Sequence, residues 1–181
     1  MFKSVAFVLV LVLVIDTSLA VVKFENLMYN LNKDYMHGKV FIKNEGDKYM
    51  FNADVEVTKK IEGSVMVTPI LQHLIKGEYQ TLVNIDLDTC KVDPTMSENS
   101  IVRAIAKEST RFINFSLMCP YNPGHYLLND FTLDSDSPLL KLLASGKYRM
   151  QLSANHFPTP AATPAEMFSY SIDFELYPTT A

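Results

Sequence analysis

A chain of 181 residues with a formal net charge of −4 is long enough to bury one core, and its charge balance does not favour nucleic acid. There is no Trp, but nine Met, nine Tyr and eleven Phe supply adaptable and stiff apolar surface. No internal repeat and no linker divides it.

The N-terminus carries the first organised signal. Lys3 precedes an apolar run over residues 5–15, and Ser18 and Ala20 give a small-x-small exit. This pattern predicts a secretory signal peptide over residues 1–20, because the run is shorter than the roughly 20 residues of a spanning helix. What remains, residues 21–181, is expected to be one domain, secreted, extracellular and without a transmembrane segment.

Beyond it the chain reads as strands. Tyr49, Phe51, Ala53, Val55 and Val57 alternate with Asn52, Asp54, Glu56 and Thr58. Tyr148, Met150, Leu152 and Ala154 alternate with polar neighbours, as do Phe168, Tyr170, Ile172, Phe174 and Leu176. Period two is the mark of a strand with one buried face. Weaker candidates lie over 21–28, 39–43, 64–68, 79–87 and 125–133. Residues 69–76 read as a strand end followed by one helical turn. The Pro-rich stretch 157–164 reads as a loop joining the last two strands. About eight strands with polar outer faces predict an antiparallel β-sandwich or β-cup.

One segment changes period. Over 94–112 the spacing predicts a helix, with Asp93 as its cap and Pro94 at its first position. Ile101, Ile105 and Phe112 form its apolar stripe, with Val102 and Ile113 beside it. Arg103, Lys107 and Arg111 form a basic stripe, read as a solvated face. The helix lies between Cys90 and Cys119. In an oxidising compartment these two make the one possible intrachain disulfide and tie both ends of the helical excursion to the sandwich.

Signals for chemistry are sparse. His37, His73, His125 and His156 include no helical metal pair, and no nucleophile elbow, phosphate loop or Cys-x-x-Cys is present. Asp130, Asp134 and Asp136 lack the Gly and Glu of a calcium loop and read as a wet turn. No metal, no cofactor and no enzymatic activity is expected. Asn114-Phe115-Ser116 is a sequon for N-glycosylation at Asn114.

Two segments resemble a known family. One runs Gly77-Glu78-Tyr79 through Asn84 and Asp88-Thr89-Cys90; the other is Cys119-Pro120-Tyr121 with the later Gly146-Lys147-Tyr148. Together they resemble an insect family of secreted proteins of unknown function that includes the CheB chemosensory proteins. That family is similar in turn to the ganglioside activator and the wider ML lipid-recognition fold. Val92 stands where an aromatic is common in the family, and the late-strand Trp is absent. The resemblance implies a non-enzymatic β-cup that binds a lipid or hydrophobic signal, serving chemosensation. The expected ligand-lining residues are Phe51, Ile101, Ile105, Phe112, Tyr148, Met150 and Phe174. The alternatives are a secreted protein–protein interaction module with a filled core, or an activator that presents lipid to a receptor or enzyme.

Overall fold

The computed structural model describes residues 20–133 and 137–178. Two antiparallel sheets pack face to face with one α-helix between their edges, a β-sandwich as the alternation predicts. The strands are β1 (Ala20–Leu31), β2 (Met36–Glu45), β3 (Lys48–Val57), β4 (Ser64–Ile75), β5 (Glu78–Asn84), β6 (Leu87–Asp88), β7 (Gly124–Phe131), β8 (Gly146–Phe157) and β9 (Ala165–Pro178). The larger sheet has the order β1-β9-β8-β4-β5, with β6 also paired to β4. The smaller has the order β2-β3-β7.

Turn chemistry sets the register. Residues 69–76 contain no helical turn: β4 runs on to Ile75 and reverses at once, pairing Ile75 with Glu78. Lys76 and Gly77 both take positive φ, 53° and 89°, the backbone of a two-residue hairpin turn that Gly accepts without strain. At a bulge between Phe51 and Ala53 the single β3 residue Asn52 faces two residues of β7, Asn129 and Asp130. There the Asn52 side chain is buried, accepting from Asp130 N at 2.8 Å and donating to Met50 O at 3.3 Å. The polar member of the alternation thus satisfies the backbone N–H of the bulge residue Asp130.

The predicted helix is shorter than its periodicity. Asp93 caps only a 3-10 turn over Pro94–Met96, accepting from Thr95 N at 2.8 Å. The α-helix, α1, runs Ser100–Ser109 and is capped by Asn99, whose Oδ1 accepts from Ile101 N and Val102 N at 3.0 and 3.2 Å. Phe112 therefore lies beyond the helix, in the turn that follows it.

Two apolar clusters fill the interior. One gathers Val22, Phe24, Phe51, Tyr148, Phe174 and Leu176 with Leu139 from the segment before β8. The other gathers Tyr35, Met36, Ile61, Val65, Ala154 and Met167. β1 packs against β2 and β3, closing the sandwich on one side. On the other side α1 and the segment 110–123 bridge the gap.

Candidate functional site

Between the two clusters the side chains do not meet. A cavity of about 310 Å³ opens there, within the range of small-molecule sites. β3 contributes the alternate residues Phe51, Ala53, Val55 and Val57, and β8 contributes Met150, Leu152 and Ala154. Val65, Val67 and Pro69 of β4, Phe168 and Tyr170 of β9, and Tyr126 and Leu128 of β7 complete the sheet walls. α1 supplies Val102, Ile105, Ala106 and Ser109. The spacing 102, 105, 106, 109 puts one face of the helix on the cavity. The small residues Ala106 and Ser109 leave volume that larger ones would occupy.

Among the described residues the wall bears no charge. Its polar members are hydroxyls alone, on Thr89, Ser109, Tyr121, Tyr126 and Tyr170. The Tyr121 hydroxyl lies 3.0 Å from Thr89 Oγ1 and 2.9 Å from the Leu117 carbonyl, and burial raises its pKa. Charge is kept to other faces. Arg149 grips Asp173 through two contacts, Nε to Oδ1 at 2.7 Å and Nη2 to Oδ2 at 3.1 Å. These hydrogen bonds hold the Asp173 carboxyl below the usual carboxylate range.

The segment 110–123 forms the remaining wall and is pinned at several points. Ile61 and Tyr121 exchange backbone hydrogen bonds of 2.8 and 3.2 Å. Ile113 bridges Leu128 of β7. Asn114 continues this pairing with its side chain, accepting from Leu127 N at 2.8 Å and donating to His125 O at 3.2 Å. Cys90 and Cys119 are joined in a disulfide that ties the segment to the residues following β6. Asp88, in β6, accepts from Ser64 Oγ at 2.6 Å and from Cys90 N at 3.1 Å. Burial opposes ionisation of Asp88, but these bonds and the one from Lys91 outweigh it, and its pKa is lowered.

Of the seven expected lining residues, the structure places Phe51, Ile105 and Met150 on the cavity. Tyr148 and Phe174 lie apart from it, in the filled end of the sandwich. Their rings stack at 5.2 Å, and His73 stacks on the other face of Tyr148 at 4.4 Å. Ile101 packs on the same filled cluster. Phe112 meets Phe131 edge-on at 5.4 Å and stays off the wall, because the helix ends before it. The basic stripe does not act as one surface. Arg103 bonds the carbonyls of Ser97 and Glu98, Arg111 pairs with Glu108 at 2.5 Å, and Lys107 is exposed.

Tyr170, Ala53, Ala106 and Ser109 were not among the expected lining residues, and each lines the cavity. The inward stripe of β9 was readable, but its division into a packed half and a hollow half was not. Asp134, Asp136 and residues 1–19 of the expected signal peptide 1–20 lie outside the described residues, and its last residue, Ala20, begins β1. Among the described residues no three metal-ligating side chains gather, and no helix is long and apolar enough to cross a membrane.

Residues 66–150 match the family described as a protein of unknown function (DUF1091). The matched stretch runs from β4 into β8 and contains α1 and both cysteines. No curated protein matches the chain.

Proposed function

We propose that this chain is a non-enzymatic carrier, secreted from the cell, that holds a hydrophobic small molecule between its two sheets. One observation carries the reading: a cavity of about 310 Å³ with an uncharged wall, between sheets that are otherwise packed. Such a volume speaks against the filled core of a pure interaction module. Binding would draw on the transfer of apolar ligand surface from water, about 25 cal/mol per Å² buried, less the cost of ordering the ligand.

The resemblance to the CheB proteins and the lipid-recognition fold supports a lipid or hydrophobic signal as cargo and chemosensation as its setting. The match to a family of unknown function neither adds to this nor conflicts with it. A disulfide among the described residues supports an oxidising, extracellular setting, since such bonds persist there. Asn114 is exposed and is the expected glycan site.

A polarity-sensitive fatty-acyl fluorophore tests the reading. The purified protein should bind it saturably at micromolar affinity or better, about −8 kcal/mol. Met150→Lys should abolish binding while the protein stays folded by circular dichroism, since a long side chain at the wall carries its charge toward water. Absence of saturable binding to the unaltered protein would sink the carrier reading in favour of a surface interaction module.

A further inference from the structure

The five hydroxyls of the cavity wall are not equivalent. Four donate to main-chain carbonyls: Thr89 to Val65 at 3.3 Å, Ser109 to Ile105 at 2.8 Å, Tyr121 to Leu117 at 2.9 Å and Tyr126 to Asn122 at 2.8 Å. Tyr170 alone of the five makes no hydrogen bond among the described residues. Among the described residues no sealed side-chain oxygen or nitrogen lacks a partner, so the Tyr170 hydroxyl borders open volume rather than packed atoms. The ring lies 5.5 Å from Phe51, a fellow member of the wall. The residue is half-buried, and burial pushes the hydroxyl up to about 12.

A donor drawn partly out of water without an acceptor costs more than the same donor bonded. Phe168 and Phe174 on the same stripe show that β9 accepts phenylalanine at inward positions. At Tyr170 the added oxygen serves no bond within the fold. Among the described residues the wall also holds no Lys, Arg or His. A carboxylate or phosphate entering it would lose its water and gain no counter-charge.

We propose that the cavity takes an uncharged chain lipid with a carbonyl or ester oxygen, and that Tyr170 donates its hydroxyl hydrogen to that oxygen. This rests on the carrier reading and narrows it to a ligand class. The four satisfied hydroxyls leave the rest of the wall to read chain shape alone.

Competition against the bound fluorophore, with dodecane, methyl laurate and laurate as ligands, separates the possibilities. On the unaltered protein at neutral pH, methyl laurate should bind more tightly than dodecane, and laurate more weakly than methyl laurate by about tenfold or more. Tyr170→Phe should weaken methyl laurate by about three- to tenfold, the range of one hydrogen bond, and leave dodecane unchanged. Its melting temperature should be equal or higher, because no intramolecular bond is lost. Laurate binding as tightly as the ester would overturn the uncharged class. An ester advantage that survives Tyr170→Phe, or a loss shared equally by ester and alkane, would overturn the role of the hydroxyl. If none of the three displaces the fluorophore, the carrier reading falls and this inference falls with it.

Discussion

Tyr148 is the most confined large side chain of the filled end, with about 1 % of its surface exposed. It lies between His73 and Phe174 and donates its hydroxyl to the Ala144 carbonyl at 2.7 Å, joining the segment before β8 to the strand itself. Its two roles are separable. Tyr148→Ala should cost about 3–5 kcal/mol through the lost burial and the void left behind. Tyr148→Phe should cost only about 1 kcal/mol, the net value of one hydrogen bond. Urea unfolding measures both, and equal losses would show that the stack contributes little. Gly146, two residues earlier, fits the same arrangement: a Cβ there would come within 2.6 Å of His73 Nε2. The ring stack and the bare glycine backbone therefore depend on each other.

At the scale of elements, the disulfide and α1 act on one wall. The disulfide closes a loop with a sequence separation of 29, and in the chain-entropy model such a loop is worth about 3–4 kcal/mol. Replacing both cysteines with alanine should lower stability by about that amount. It should also speed ligand release, because the segment 110–123 would keep its backbone bridges but lose its covalent tie. Stopped-flow dissociation of the fluorophore checks this, and an unchanged off-rate would mean the wall is held by its bridges alone. Strands and helix were legible in unequal degree. The alternation of β3, β8 and β9 carries their inward faces directly. The helix was legible in kind but not in extent, since apolar spacing ran through two successive caps, Asp93 and Asn99, and only hydrogen-bond geometry separates them. The cavity was legible only in part. Phe51 and Met150 share their stripes with Tyr49 and Tyr148, and alternation says which face is inward, not whether facing side chains touch.

Across the whole molecule, the interior is uneven. One end is closed by stacked rings and leucines, while the middle is walled by Ala53, Ala106, Ala154 and Ser109, too small to reach across. Hollow and packed regions share the same two sheets, so the ligand site depends on side-chain size rather than on a separate element. An unfilled interior has a mechanical consequence. Unfolding removes internal voids, so it lowers the total volume, and compression favours the smaller state. The ligand-free protein should therefore yield to hydrostatic pressure at lower values than the loaded one. Filling the void also reduces the volume change itself, beyond the stabilisation that any ligand gives by mass action. High-pressure fluorescence of the empty and loaded forms would resolve the two contributions: mass action shifts the midpoint, whereas void filling flattens the slope. An unchanged slope would mean that the cargo rests on the molecule rather than inside it.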